Sequence, residues 1–270
     1  MNTEEILNRA KLMRKRIVDM TYSTGSVGAH IGGSLSLVEI MAVLYLDVLK
    51  LDKNNLKSEE RDRMIFSKGH GAMALYAAME QSGIISAEEI GKFKHNGYCL
   101  SAHPSKNSLY GIEFSSGSLG QGLSLAVGTC LALKRKKNNM SKVYVILGDG
   151  ECDEGSIWES AMSATHYHLD NLVAIIDNNK LQYDGETKNI LSLEPFDLKW
   201  ESFGWVVKRV DGHSIEQLRA ALLESTGKPY VIIADTVKGK GVSFMEGKPS
   251  WHNGVLTEEQ YRQAVREVAG

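Results

Sequence analysis

The chain has 270 residues, 43% apolar and 24% charged, a composition suited to one large α/β domain or two small ones. Its formal charge of −2 gives no reason to expect nucleic acid or an anionic membrane surface as a partner. No apolar run reaches the roughly 18 residues of a membrane span, the charged start MNTEEILNRAKLMRKR lacks a signal peptide's apolar core, and Cys99, Cys130 and Cys152 form no CxxC pair, so the expectation is reduced thiols and a cytoplasmic protein.

Residues 3–22 read as a first helix, with Ile6, Met13, Ile17 and Met20 on one stripe and Arg14, Lys15 and Arg16 forming a solvated basic face outside it. A glycine-rich loop follows, in which glycines 25, 28, 32 and 33 allow close backbone approach around His30; residues 36–49 then read as a helix. Residues 63–67 are a short strand ending in Lys68-Gly69-His70-Gly71, and a helix over 72–81 starts directly after it. A strand end, a glycine turn and a helix amino terminus make a place where an anion can sit. His103 lies in an irregular loop, Ser101-Ala102-His103-Pro104. Ser116-Gly117-Ser118-Leu119-Gly120-Gln121-Gly122 opens a helix over 123–133, whose basic end (134–137) suits a helix carboxyl terminus without any further role.

The most informative stretch is 142–183. Residues 143–147 and 172–176 are short apolar runs rich in β-branched residues, as expected of strands buried on both faces. Between them, 156–168 has helical spacing, so the three should form a right-handed parallel βαβ unit. Gly148-Asp149-Gly150 ends the first strand and Asp177-Asn178-Asn179 the second, at the edge where open α/β sheets bind ligands. Asp149 and Asn179 offer hard oxygen donors of the kind Mg²⁺ takes when phosphate and water complete its shell. Gly150 lets backbone approach a phosphate. Further strands are read over 205–210 and 230–234, and a last helix over 257–268. The alternation predicts an α/β fold: a doubly wound, mostly parallel sheet with helices on both faces.

Gly148-Asp149-Gly150, then 27 residues (151 to 177), then Asn178-Asn179 resembles the thiamine-diphosphate-binding motif. With GAHIGG, SKGH, SAHP, GSLGQG, LGDGECDEG, IDNNKLQ, KGKG and SWHNG in this order, residues 20–255 resemble the diphosphate-binding domain of transketolases. The resemblance implies a cofactor, thiamine diphosphate, with a divalent metal, Mg²⁺ or Ca²⁺. Asp149, Asn179 and the backbone carbonyl of Leu181 are similar to the metal ligands. Gly150, His70, Lys68 and Lys238 resemble diphosphate contacts, and Gly117 and Leu119 contacts to the aminopyrimidine and the bridge region. His30, His103 and His252 resemble the substrate-facing histidines that bind sugar hydroxyls and move protons. Glu154 resembles a dimer-interface glutamate. Ile31 stands where many relatives have proline. The resemblance further implies ketol transfer from a ketose phosphate to an aldose phosphate. It implies that residues 1–270 are a single domain, whose pyrimidine-binding counterpart is supplied by a separate carboxyl-terminal subunit. Two copies of each chain are then expected, and a self-dimer when this chain is alone.

Two other readings stay open at this point. An α subunit of a divided 2-oxo acid dehydrogenase would share Asp149 and Asn179 but lack the SAHP and SWHNG histidines. A non-catalytic nucleotide-binding module is raised by the likeness of GSLGQG to the dinucleotide fingerprint, which is weak without a strand before it and an acidic residue about 20 positions on. A transketolase for an unusual sugar is the nearest variant of the main reading.

Overall fold

The computed structural model describes residues 1–138 and 140–269. Five strands form one sheet: β1 (Arg63–Phe66), β2 (Val143–Gly148), β3 (Leu172–Asn178), β4 (Val206–Asp211) and β5 (Tyr230–Asp235). Their spatial order is β1-β2-β3-β5-β4, and every neighbouring pair is parallel. The helices that position the site are α1 (Thr3–Ser23), α2 (Val38–Val43), α3 (Ala72–Gln81), α4 (Gln121–Arg135), α5 (Gly155–His166), α6 (Phe196–Ser202), α7 (Ile215–Leu223) and α8 (Glu258–Ala269).

Because side chains alternate along a strand, each inner strand feeds two cores. Phe66, Tyr144, Ile146, Val173, Ile175 and Ile232 pack with α1, α2, α3 and α7. Ile65, Val145, Leu147, Ala174, Ile176 and Ile233 pack with α4, α5 and α6. This is the doubly wound arrangement the sequence predicts, with every strand parallel. The chain leaving β1 enters α3 on one face, and the chain leaving β2 enters α5 on the other. The two diverge at the carboxyl ends of adjacent strands and open a crevice there.

Three local readings need correction. Arg14 is not solvated: it is buried and its guanidinium meets Glu39 of α2 at 2.5 Å, while Arg16 pairs with Glu80 at 2.6 Å. A charge in a buried position persists because it has a partner. The helix expected over 36–49 is α2 followed by a wider last turn, where Leu49 N–H donates to Leu44 five residues back at 2.8 Å. Helix α7 was unanticipated although its signals are present: Ser214 caps it by accepting from Gln217 N–H, and Ile215, Leu218, Ala221 and Leu222 fall on its buried face. No helix among the described residues is long and apolar enough to cross a membrane.

Candidate active site

The floor of the crevice is built by the ends of β2 and β3, which lie side by side with Gly148 opposite Asp177. Asp177 is fully buried and accepts from the Lys68 ammonium, the Ser36 hydroxyl (2.6 Å) and the Thr236 hydroxyl. Burial opposes its ionisation, but Lys68 and the two hydroxyls outweigh that and hold the carboxyl below its usual range. Asp149, also buried, has no such cation of its own. Burial, and then the charge of Asp177, push its carboxyl up to about 7, against the backbone N–H groups of Gly150 (2.9 Å) and Lys180 (2.5 Å) that donate to it. Asn179 Oδ1 accepts from Leu181 N–H at 3.1 Å, and the Leu181 carbonyl accepts from the Lys238 ammonium at 3.0 Å.

These residues fit a divalent cation. The donor set is one carboxylate, one amide oxygen and one carbonyl, which suits an ion that also takes phosphate oxygens. The strained ionisation of Asp149 is what a nearby cation relieves. Among the described residues no group of three or more His, Cys, Asp or Glu could hold a metal, so this oxygen set stands apart from a nitrogen- or sulfur-rich site. The space beside it fits a diphosphate. A cavity of about 230 Å³ is lined by Lys68, His70, Leu119, Gly150, Lys238 and His252 among others. A Cβ at Gly150 would lie 2.8 Å from Gln182 Oε1, a buried oxygen without a hydrogen-bond partner among the described residues.

Four imidazoles from four separate loops converge over this cavity. Ring centroids lie 5.5 Å apart for His30–His103, 5.4 Å for His30–His252, 5.9 Å for His30–His70 and 4.9 Å for His70–His252. All four are held neutral near pH 7. Burial lowers His30 to about 4, helped by His103, Lys94 and Lys238. Burial lowers His252 to about 3, helped by the Lys238 charge, and puts His70 and His103 below their usual value too. Burial, then Lys68, lowers Lys238 to about 8. The charges of Lys68 and Lys238 add to the shifts of His70 and His252, and the positive potential they make there favours an anion. Lys68 contributes charge, but its ammonium is engaged by Asp177 and by the Gly33 carbonyl at 3.1 Å.

Glycines explain why the loops can meet. Ala29 and Gly254 exchange backbone hydrogen bonds of 3.0 Å in both directions, joining the loop of His30 to the loop of His252. A Cβ at Gly28 would meet the Gly254 carbonyl at 2.7 Å, and one at Gly32 the Trp251 carbonyl at 2.6 Å. Backbone atoms yield little, so Gly32→Ala should cost about 1–3 kcal/mol, as overpacking typically does. Urea unfolding is the check, and an unshifted midpoint would show that the two loops are not in close contact.

Of the residues singled out in the sequence, the structure gathers Asp149, Asn179, Leu181, Gly150, Lys68, His70, Leu119, Lys238, His30, His103 and His252 around one crevice. Gly117 is part of its edge, where a Cβ would lie 3.7 Å from the His103 ring. Glu154 is elsewhere: it is exposed at the start of α5, with its side chain against Gly120. Sequence reading missed Asp177 as the buried anion and also missed Glu151. The Glu151 carboxylate, buried below the turn, accepts from Gly148 N–H (3.0 Å), Gly120 N–H (2.9 Å) and the Ser67 hydroxyl. It joins three motifs that are far apart in the chain. A signal existed in both cases, since each is an acid embedded in or beside an apolar strand.

The family model described as transketolase, thiamine diphosphate binding domain, matches residues 7–270. The chain is 43% identical over 272 residues to one subunit of the apulose-4-phosphate transketolase of Phocaeicola vulgatus, covering 100% of this chain and 95% of that one. It is 42% identical to the 6-deoxy-6-sulfo-D-fructose transketolase subunit SqwG of a Clostridium species, covering 98% and 96%. Human transketolase is 35% identical over 255 residues, 94% of this chain but 41% of that protein. The crystal structure of Campylobacter jejuni transketolase superposes on the whole chain with a TM-score of 0.91 at 29% identity, and this chain spans 43% of it.

Proposed function

This chain belongs to the transketolase family through its thiamine-diphosphate-binding domain, and from that premise we propose that it is the amino-terminal subunit of a two-chain transketolase. In this reading residues 1–270 are a single diphosphate-side domain. A separate carboxyl-terminal subunit supplies the pyrimidine-binding side, in a cytoplasmic assembly of two copies of each. Support comes from relatives that are themselves named as transketolase subunits and are matched over 95% and 96% of their length, against 41% for the human enzyme. The reaction is transfer of a two-carbon ketol unit from a ketose phosphate to an aldose phosphate. The relatives named for apulose-4-phosphate and 6-deoxy-6-sulfo-D-fructose favour a sugar outside the common pentose phosphates.

One observation carries the reading: neutral imidazoles converge over a pair of strand ends that offer a carboxylate and an amide oxygen. Bound thiamine diphosphate supplies an electron sink for breaking the carbon–carbon bond next to a ketose carbonyl. The chain does the rest. Asp149, Asn179 and the Leu181 carbonyl hold Mg²⁺ or Ca²⁺, and Lys238, His70 and the Gly150 backbone hold the diphosphate. Gly117 and Leu119 hold the pyrimidine and bridge region, and Lys68 adds its charge on the diphosphate side. His30 and His103, being neutral, can accept from or donate to sugar hydroxyls and so take up and return a proton at a hydroxyl oxygen, while His252, whose Nδ1 accepts from the Lys238 ammonium, presents Nε2–H as a donor to a hydroxyl. Glu154, exposed on this chain, is assigned to the interface between subunits.

Replacing any one of His30, His103 and His252 by Asn should lower turnover of the assembled enzyme by about 10²–10⁴ while changing cofactor affinity little, because positioned proton transfer is worth that much. Steady-state kinetics beside calorimetry separate the two. Equal losses in affinity and turnover would reassign the histidines to cofactor binding. Titration with NAD and with thiamine diphosphate separates this proposal from a nucleotide-binding module, and tight NAD binding would defeat it.

A further inference from the structure

Lys238 occupies a central place in the site, with its ammonium 3.0 Å from the Leu181 carbonyl and 3.2 Å from His252 Nδ1. It sits in a loop between β5 and α8 that contains Gly239, Gly241 and Gly247, all with positive φ. Left to itself, such a segment is costly to order. Its backbone is gripped from behind by a buried cluster, none of whose three residues lines the cavity.

The hub of the cluster is Glu39 on α2, only 4% exposed. One oxygen meets the Arg14 guanidinium of α1 at 2.5 Å, and the other meets His213 Nδ1 at 2.9 Å. His213 follows β4, and its Nε2 accepts from Val237 N–H at 2.9 Å. That bond fixes the tautomer: Nε2 is the acceptor, so Nδ1 carries the proton and donates to Glu39. On the other side, Arg14 Nε donates to the Lys240 carbonyl at 3.2 Å. Arg14 comes within reach because residue 241 is glycine, where a Cβ would lie 2.9 Å from Arg14 Cδ. Two arms of one carboxylate thus hold the backbone at 237 and at 240, straddling Lys238. A further anchor, Gly239 N–H donating to the Gly32 carbonyl at 2.9 Å, ties the same turn to the loop of His30, and Gly247 N–H donates to the Lys238 carbonyl at 2.9 Å.

We infer that Arg14, Glu39 and His213 are positioning residues that clamp the Val237–Lys240 turn and so place Lys238 for its anionic ligand. The inference rests on the proposed cofactor role of Lys238, but the clamp itself is testable without it. His213 and Arg14 act through the backbone and do not line the cavity.

The test uses the full chain as wild type, His213→Ala, His213→Gln, Arg14→Lys and Asp149→Ala. Hydrogen–deuterium exchange is followed over residues 236–242 and over the sheet. Calorimetric affinity for thiamine diphosphate with Mg²⁺ is measured beside it. His213→Ala should speed exchange at 237–241 by about tenfold or more and weaken the cofactor about tenfold, the worth of one hydrogen bond, with the sheet unchanged. His213→Gln, whose amide oxygen still accepts from Val237 N–H, should recover most of both. Arg14→Lys, which lacks Nε, should loosen only the 240–242 side and carries the test if His213→Ala does not fold. Unchanged loop exchange in His213→Ala and Arg14→Lys overturns the clamp. So does a uniform rise in exchange across the sheet at unchanged affinity, which would make these residues merely structural. If Asp149→Ala binds like wild type, the cofactor-site reading falls, while loop exchange still decides the clamp.

Discussion

Asp149→Ala should abolish metal-dependent binding of thiamine diphosphate and leave the fold intact. Asp149 is the only carboxylate in the proposed ligand set. Loss even of a residue that merely supports a metal ligand typically costs 10–100-fold in metal affinity, so loss of the ligand itself should exceed about 100-fold. The fold survives because Asp149 lies just past the end of β2, outside both cores, and its removal frees two backbone N–H groups beside the cavity, where water can enter. Calorimetry with Mg²⁺ and with chelator, beside circular dichroism, gives the answer. Wild type and variant should bind alike in chelator and differ only when metal is present. Equal affinity in Mg²⁺ would remove Asp149 from the metal site.

The second large effect concerns assembly. Alone, with thiamine diphosphate and Mg²⁺, the chain should show less than about 1% of the ketol transfer it shows when mixed with a carboxyl-terminal subunit, because proton-transfer groups on one wall alone forfeit factors of 10²–10⁴. Two large apolar side chains close to the histidines in space or in sequence are exposed. Tyr183 is 70% exposed with its ring 5.3 Å from His252, and Val27 is 68% exposed on the loop leading to His30. Such surface favours association, so the chain alone should run as a dimer in light scattering and the mixture as two copies of each chain. Full turnover by the purified single chain would overturn the divided site.

Most of the fold was legible because parallel strands buried on both faces announce themselves as apolar runs, and several motif glycines mark a close approach, of backbone at Gly28 and Gly32 and of a side chain at Gly150. Asp149, Asn179 and His70 were legible because they sit directly at strand ends, and His30, His103 and His252 because they stand in glycine-rich or irregular loops where no packing demand explains them. What escaped notice was held together by tertiary pairing. Arg14 lies among helical basic residues and looks solvated until Glu39, 25 positions on, is placed against it. Asp177 read as a strand terminator because its partners Ser36, Lys68 and Thr236 come from three other segments. Helix α7 was legible and overlooked, since its cap and apolar spacing are both local.

Glu151 sets a limit on how this site can be remodelled. Every group that points at its carboxylate is a donor: two backbone N–H groups and the Ser67 hydroxyl. Glutamine has nearly the same shape, but one of its two terminal atoms carries hydrogens and would meet a donor head-on. Shape therefore does not decide this position; hydrogen-bond polarity does. The loops that bear His30, His103 and His252 can be varied in search of a new sugar specificity while the turn beneath them keeps its geometry. A library that also varies residue 151 would spend its members on chains whose Gly148, Gly120 and Ser67 no longer share an anchor.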